Sequence, residues 1–370
     1  MYRRGFLYGL GASGLFPALP AHAGNRYGLY VTCAARPDGS YAASGFDGTG
    51  RQVFEISLPE RGHGMAFHPS RRECVVLARR PGTFAAVIDL PTGKAPRWIE
   101  AAAGRHFYGH GAFSPDGAFF FATENDYETG RGVLGVYDTA NGYARLGEIA
   151  SNGIGPHQVR LTPDGKSLAV ANGGIQTHPL NGRDKLNLGS MAPNLSLLAL
   201  KDGAVRRVYA LPPALHQLSI RHIDMDRRQR VAVSMQYEGA HPDDIALVAL
   251  AAPETGMQLL RAPAAVEKRL RQYTGAVAFD SSGRYVAASG PRGGIAVIWD
   301  AQTGTYLRQI EAPDTSGIAA TAQPGEFMLS GGDGAIRRAD IRSGTTAMLA
   351  PPNRAHRWDN HLEPEEISGA

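Results

Sequence analysis

Three features of the sequence predict an all-β fold, a single seven-bladed β-propeller with six blades as the alternative. A turn signal rich in Pro, Asp, Ser and Gly recurs along the chain, and a histidine returns at a fixed phase of that repeat. The composition also suits many short strands joined by tight turns, because 370 residues include 46 Gly and 24 Pro and only 19% are charged. A four-stranded unit repeated in this way is a propeller blade.

The turn signals divide the chain into seven units. Pro sets φ for the second position of a turn and Gly adopts φ > 0, so each signal is expected to close a hairpin between two apolar runs. The segment 263–272 has helical character, but it is short and lies between two units, which does not favour an α/β fold. The seven signals are residues 36–39, 68–71, 114–117, 162–165, 226–228, 280–283 and 323–326.

Residues 1–23 have the features of a twin-arginine signal peptide. Arg3 and Arg4 precede an apolar stretch, and small residues at 21–23 form a cleavage site. The apolar stretch, residues 10–19, is far shorter than the ~20 residues needed to span a bilayer. We therefore expect export by the twin-arginine pathway to the bacterial periplasm, with no membrane span after cleavage.

The expected mature protein has one domain. Residues 24–362 are predicted to form the propeller, and the acidic residues 363–370 are predicted to form a flexible tail. Without Arg3 and Arg4 the formal charge falls from +4 to nearly neutral, so no nucleic-acid partner is implied.

Cys33 and Cys74 are the two cysteines of the chain. An oxidising compartment would permit one disulfide between them, but pairing needs Cα atoms within about 7 Å, which leaves the bond open. Two isolated cysteines do not make a structural zinc site.

Four histidines precede the first strand of successive units. His63, His110 and His157 follow one another at intervals of 47 residues, and His222 holds a similar place less regularly. Because the chain enters each propeller blade at its innermost strand, these side chains are expected to ring one mouth of the central channel. Loops between second and third strands share that face, whereas the turn signals are expected at the opposite one.

Imidazoles and carboxylates without thiolates suit a first-row transition metal ion: iron, copper or zinc, with iron favoured when carboxylates contribute. The alternative is that the histidines are structural and hold the blades in register. His110 is five residues before its turn proline while His63 and His157 are six before theirs. This slip would turn His110 away from the others unless a β-bulge restores its direction. The carboxylates predicted to join the four histidines as metal ligands are Glu124, Asp126 and Glu128.

Cationic side chains accompany the histidines and predict a face for a ligand or a partner. Such a cluster lowers imidazole pKa values and attracts anions, so it can hold a carboxylate or a phosphate. The alternative is that Arg61, Arg105 and Arg221 form ion pairs across blades, with Glu124, Asp126, Glu128 or Asp224 as the expected partners. The residues predicted for this face are Arg61, Arg80, Arg105, His106, His178, Arg221 and Arg292.

Familiar enzyme motifs are missing from the sequence. It has no Gly-x-Ser-x-Gly elbow, Walker lysine loop, His-Glu-x-x-His pair or haem-attachment motif. No catalytic residue is therefore predicted, and binding is expected rather than catalysis. Two alternatives stay open: a metal-dependent hydrolase or lactonase, in which the ion polarises a carbonyl group, and a pure interaction scaffold with structural histidines.

Several longer motifs resemble those of an uncharacterised family of twin-arginine-exported periplasmic propellers, encoded beside imelysin-like iron-uptake proteins and a dihaem oxidoreductase. They include Arg61-Gly62-His63-Gly64, Gly155-Pro156-His157, Ser219-Ile220-Arg221-His222 and Trp358-Asp359-Asn360-His361. The resemblance implies an association with iron uptake and imelysin-like or haem-containing partners. We therefore expect a non-catalytic component of iron acquisition that binds an iron species, or an iron-carrying partner, at the channel mouth.

Overall fold

The computed structural model describes residues 27–90, 95–240, 244–351 and 356–366. These residues form seven antiparallel sheets, one after another along the chain, each built from four or five strands. The arrangement is a seven-bladed β-propeller, which confirms the predicted fold class. The predicted signal peptide lies outside the described residues.

Blades 2 to 4 each take four consecutive strands, which run from the channel outwards. Blade 2 contains β4 (Gly62–Phe67), β5 (Glu73–Ala78), β6 (Phe84–Asp89) and β7 (Arg97–Glu100). Blade 3 contains β8 (Arg105–Phe113), β9 (Phe119–Asp126), β10 (Arg131–Asp138) and β11 (Ala144–Ala150). Blade 4 contains β12 (Pro156–Leu161), β13 (Ser167–Asn172), β14 (Asn194–Ala199) and β15 (Val205–Ala210), with short 3-10 helices at Pro179–Asn181 and Leu188–Ser190.

Blades 5 to 7 follow the same order. Blade 5 begins after a 3-10 helix at Pro213–Leu215 and contains β16 (Leu218–Met225), β17 (Val231–Tyr237), β18 (Val248–Ala252) and β19 (Gly256–Leu260). The helix α1 (Ala264–Leu270) leads to blade 6, which contains β20 (Val277–Phe279), β21 (Tyr285–Gly290), β22 (Ile295–Asp300) and β23 (Tyr306–Glu311). Blade 7 contains β24 (Thr315–Ala320), β25 (Glu326–Gly331), β26 (Ile336–Asp340) and β27 (Thr345–Ala350).

The middle strands of the blades are apolar on both faces. Every residue of β5 and of β22 is buried, whereas the outermost strand β11 is exposed or half-buried. Neighbouring blades pack face to face, so a middle strand is covered on both sides and has a continuous apolar run instead of an alternating pattern. The core therefore lies between blades and leaves the channel to the innermost strands.

Blade 1 closes the ring with both ends of the described chain. It contains β1 (Tyr27–Ala35), β2 (Tyr41–Phe46) and β3 (Gln52–Leu58), and its innermost position is filled by β28 (Arg357–Trp358) and β29 (Glu363–Glu366). Ala34 pairs with Trp358, and Val31 pairs with Glu363. The last strands of the chain thus complete the first blade.

This closure corrects two predictions. Residues 363–366 form β29 instead of a flexible tail, since Glu363 accepts hydrogen bonds from Arg160 at 2.8 and 2.9 Å; residues 367–370 lie outside the described residues. The turn at residues 36–39 joins the second and third strands of blade 1. It therefore lies at the end of the propeller where loops between second and third strands were expected, not at the opposite end. The other six signals join innermost and second strands, as predicted, because only blade 1 takes its innermost strand from the chain end.

Cys33 and Cys74 are both buried free thiols. They belong to the same apolar core cluster, and burial raises the pKa of each thiol. None of the helices in the described part of the chain has the length and apolar character needed to cross a bilayer.

Candidate metal centre

Five buried imidazoles lie together inside the channel. They belong to His63, His110, His157, His222 and His361, and nine of their ring pairs have centroids between 4.4 and 6.0 Å apart. The structure therefore brings together the four predicted histidines and adds a fifth from the closing segment of blade 1. We call these five residues the histidine cluster.

Four members of the histidine cluster offer ligand atoms to one point. One ring nitrogen from each of His63, His110, His222 and His361 lies within 4.8 Å of the other three. In a tetrahedral zinc site, with Zn–N bonds of about 2.0–2.1 Å, ligand nitrogens are about 3.3 Å apart, so the side chains would have to move inward to coordinate one ion. The fifth ring is adjacent, with His157 Nε2 at 2.9 Å from His222 Nε2. Four buried histidines can thus hold a metal ion here.

A backbone irregularity directs the rings into the channel. The pairing of innermost and second strands shifts register between Gly62 and Met65 in blade 2 and between Phe107 and Gly111 in blade 3. Blades 4 and 5 have the same kind of shift at their histidines. A bulge adds a residue to one strand and changes the direction of its side chains. The β-bulge that the one-residue slip of His110 required is therefore present.

The one-residue difference between the positions of His63 and His110 in their blades has a packing reason. A Cβ atom at Gly64 would lie 2.4 Å from His110 Nδ1, and one at Gly109 would lie 2.6 Å from His63 Cδ2. Gly109 also has φ +107°, a conformation that disfavours other residues. The order His63-Gly64 in blade 2 and Gly109-His110 in blade 3 thus places each ring over the glycine of the neighbouring strand.

Asp359 orients one of the imidazoles. His63 Nδ1 donates to Asp359 Oδ1 at 3.2 Å, and Arg61 Nε donates to Asp359 Oδ2 at 2.5 Å. Burial opposes ionisation of this carboxyl, but the hydrogen bond from His63 and the charges of Arg79 and Arg61 hold its pKa below the usual range. An ionised Asp359 keeps the proton on His63 Nδ1 and leaves the Nε2 lone pair for a metal ion, as carboxylate–histidine–metal arrangements do.

All five imidazoles are neutral at neutral pH. Burial lowers the pKa of His63 to about 4, and burial together with neighbouring charges lowers the pKa of the other four well below the usual value. Neutral imidazole is the form that binds metals. The Nε2 atoms of His63, His110 and His361 have no hydrogen-bond partner among the described residues. A buried unpaired nitrogen is costly, and a metal ion would supply the missing partner.

The predicted carboxylate ligands do not join the histidine cluster. Glu124 accepts hydrogen bonds from Tyr137 Oη at 2.6 Å and Arg145 at 2.8 Å. Asp126 pairs with Arg105 at 3.0 Å, and Glu128 is exposed. Glu124 and Asp126 are paired within blade 3 and Glu128 faces solvent, so the prediction for Glu124, Asp126 and Glu128 is corrected. The sequence does not specify the register that sets these directions.

The residues predicted for the ligand face fall into two groups: some line a cavity, and the others are engaged by neighbouring residues. Arg80, Arg221 and Arg292 line one cavity, described below. Arg61 pairs with Asp359 across blades, and Arg105 pairs with Asp126 and Glu148 within blade 3, so two of the three arginines form ion pairs, as the alternative expected. Only Asp126 was among the expected partners, and Arg221 forms no ion pair within the described residues. His106 lies between Phe107 O and Asn125, each at 3.0 Å, and His178 accepts a hydrogen bond from Leu180 N at a helix start.

The cluster separates two cavities of the channel. The upper cavity, of about 330 Å³, lies on the side of the loops between second and third strands and reaches His63, His157 and His222. The lower cavity, of about 920 Å³, lies on the side of the turns and reaches His110, His222 and His361. The rings thus occupy two levels, and His222 borders both cavities.

Sequence reasoning missed His361 and Asp359 as site residues. Both stand in the motif Trp358-Asp359-Asn360-His361, and Asn360-His361 parallels Arg221-His222 in blade 5. The shared pattern, a polar residue followed by histidine, could have indicated His361. The place of His361 in the channel, however, depends on how the two ends of the chain close the ring.

Comparison with known proteins gives a family and a fold. No curated protein matches the chain. Among solved structures, hydrazine synthase from Kuenenia stuttgartiensis is similar with a TM-score of 0.60 and 15% identity over 92% of this chain and 99% of that chain. At this identity the likeness shows the propeller fold alone. Residues 56–364 match the family described as protein of unknown function DUF1513, and the chain therefore belongs to the DUF1513 family.

Proposed function

We propose that this protein binds a first-row transition metal ion inside its channel and serves iron acquisition as a non-catalytic periplasmic component. The observation that carries the metal proposal is the set of four ring nitrogens, from His63, His110, His222 and His361, within 4.8 Å of one another. These imidazoles are buried and neutral, and the Nε2 atoms of three of them have no hydrogen-bond partner among the described residues.

The ligand set bears on the identity of the metal. Imidazole ligands suit zinc, copper, iron and nickel, whereas carboxylates would have shifted the preference towards iron. Since Glu124 and Asp126 are engaged by arginines elsewhere, the assignment of iron rests on the resemblance to propellers encoded beside iron-uptake proteins. Iron in the reduced state is the ion we propose, with copper and zinc as competitors in the test.

The crowding of the cluster supports binding over catalysis. Catalytic metal sites keep an open position for water or substrate, whereas closed sites fill their coordination shell with protein ligands. Here His157 Nε2 lies 2.9 Å from His222 Nε2, so a fifth imidazole is ready beside the four. Such a site suits capture of an ion, or its exchange with an imelysin-like or haem-containing partner.

Elemental analysis of protein recovered from the periplasm tests the proposal. We expect near-stoichiometric metal in the natural protein and in the control His216→Ala, which removes a histidine outside the channel, and loss of metal in the double variant His110→Leu/His361→Leu. Recovery of the mature protein from the periplasm would also support the proposed periplasmic location.

Two outcomes would overturn the proposal. One is a metal-free protein that also fails to bind added Fe²⁺, Cu²⁺ or Zn²⁺, which would leave the histidines structural. The other is ester or lactone turnover that disappears with the metal, which would make the protein an enzyme.

A further inference from the structure

The upper cavity is lined by cations above the histidine cluster. Tyr108, Gln236, Tyr273 and Asn360 add polar groups to its wall, and no Asp or Glu belongs to the described lining. The cationic residues that line it are Arg79, Arg80, Arg183, Lys185, Arg221 and Arg292.

Four of these arginines form no ion pair within the described parts of the chain. Asp359 pairs with Arg61 and His63, with Arg79 nearby, and Glu238 pairs with Lys185. The arginines left without a carboxylate are Arg80, Arg183, Arg221 and Arg292.

Arg80 is the strongest single indication of a ligand. The residue is 7% exposed, and its guanidinium donates no hydrogen bond to the described residues. Burial, followed by the charge of Arg221, lowers the pKa of Arg80 to about 10, so the group keeps its charge at neutral pH. A buried cation without a counter-charge is costly, so this one fits a site that an anion completes.

The other arginines are held in place by neutral groups. Arg221 donates to Gln236 Oε1 at 3.1 Å, and Arg183 donates to the carbonyl of Arg80 at 3.3 Å. Arg292 donates to the carbonyl of Arg271 and stacks on Tyr273 at 4.8 Å. These contacts orient the guanidinium groups and leave their charges uncompensated. Guanidinium forks recognise carboxylate and phosphate groups in pairs of hydrogen bonds.

We propose that the upper cavity binds a small multivalent oxyanion, a di- or tricarboxylate or a phosphate compound, held by Arg80, Arg183, Arg221 and Arg292 directly above the histidine cluster. A volume of about 330 Å³ is at the small end of ligand sites, which range over about 300–1,000 Å³. Several converging guanidinium groups match a ligand with more than one anionic group. This site stands on the arginines alone and does not require the metal.

One consequence rests on the proposed metal function. The cavity reaches His63, His157 and His222, so a bound anion lies beside any positive charge held by the cluster. Opposite charges in a closed site attract strongly, so metal and anion are expected to bind more tightly together than apart. Because such coupling is reciprocal, each ligand raises the affinity of the other by the same factor.

Calorimetric titration of the metal-free protein tests the anion site. The probes are tricarballylate, as a tricarboxylate, and inorganic phosphate, each at low salt. We expect one molecule bound per chain, with affinity that falls as NaCl is added, and a comparison of the two probes shows which oxyanion class is preferred. The variants Arg80→Met and Arg221→Met should each weaken binding by about tenfold or more, since each removes charge-assisted hydrogen bonds.

Matched controls separate this site from general charge effects. Arg206→Ala removes an exposed arginine of β15, outside the cavity, and should leave the affinity unchanged. Where Arg80→Met fails to fold, Arg292→Gln at the same cavity replaces it. No binding of either probe at millimolar concentration, or equal binding by the cavity variants and the natural protein, would overturn the proposal.

The two proposals can fail separately. The variant His110→Leu/His361→Leu should still bind tricarballylate while it loses metal, and Arg80→Met should keep its metal while it loses the anion.

Discussion

Blades 1 to 5 place imidazoles in the channel, whereas blades 6 and 7 place small residues at the equivalent positions. The innermost strand of blade 7 has the same register shift as its neighbours, between Thr315 and Gly317, but carries Ser316-Gly317 where other blades carry histidine. Blade 6 has Gly275-Ala276 at this level. Blade 7 thus shares this register shift with blades 2 to 5 and carries small side chains where those blades carry histidine.

The small residues have a use of their own. A Cβ at Gly317 would lie 3.0 Å from Leu362 Cβ and 3.1 Å from the carbonyl carbon of His361, and one at Gly275 would lie 3.0 Å from the carbonyl oxygen of Ser316. Gly317 therefore lets residues 361 and 362 approach blade 7 closely, and Gly275 lets blade 6 approach blade 7. Five blades supply imidazoles, and the small residues of blade 7 leave room for the segment that carries the fifth.

The largest effect is expected from removing the closing segment. Ending the chain at Pro351 deletes β28, His361 and β29, which exposes the channel side of β1 and opens the ring. We expect the shorter chain to lose cooperative thermal unfolding, as measured by circular dichroism. A chain that ends at Glu366 is the control and should unfold like the full protein. Cooperative unfolding of the shorter chain at an unchanged temperature would show that blades 2 to 7 do not depend on closure of blade 1.

A smaller effect is expected from acid. The histidine pKa values are lowered in the folded state, so between the unfolded value of about 6.5 and the folded values the unfolded chain binds more protons. Stability of the metal-free protein should therefore fall as pH drops below 6.5, by about 1.4 kcal/mol per pH unit for each histidine that stays neutral.

Urea titrations from pH 7 to 5 measure this slope. His110→Leu should flatten it, whereas Ser316→Ala in blade 7 should leave it unchanged. An identical slope for His110→Leu would show that this imidazole does not resist protonation in the folded protein.

The smallest effect is expected from one methyl group. Gly109→Ala puts a Cβ against His63 at a residue with φ +107°, and a side chain in the left-handed region costs about 1–2 kcal/mol before any clash. We expect a loss of about 2–4 kcal/mol of unfolding free energy, measured with urea, together with weaker metal binding. Ser316→Ala should cost less than about 1 kcal/mol. Equal stability of both variants would contradict the packing of His63 over Gly109.

Local signals predicted much of the fold. Pro, Asp and Gly act within four residues, so the turns and the number of blades were accessible from the sequence. Four histidines were found because they lie at a repeated distance from those turns. His361 was not predicted as a site residue because its place in the channel depends on pairing between β1 and β28, which are more than 300 residues apart in the sequence. Glu124 was misplaced because its direction depends on its partners Tyr137 and Arg145.

The closing segment also determines when the site can exist. His361 and Asp359 are among the last ten described residues of a chain of 370, while the other four imidazoles are made much earlier. A chain still leaving the ribosome, or one cut short near its end, lacks both the fifth imidazole and the carboxylate that orients His63. The histidine cluster, and the metal site proposed for it, is therefore complete only after residues 359–361 have been synthesised and have joined blade 1.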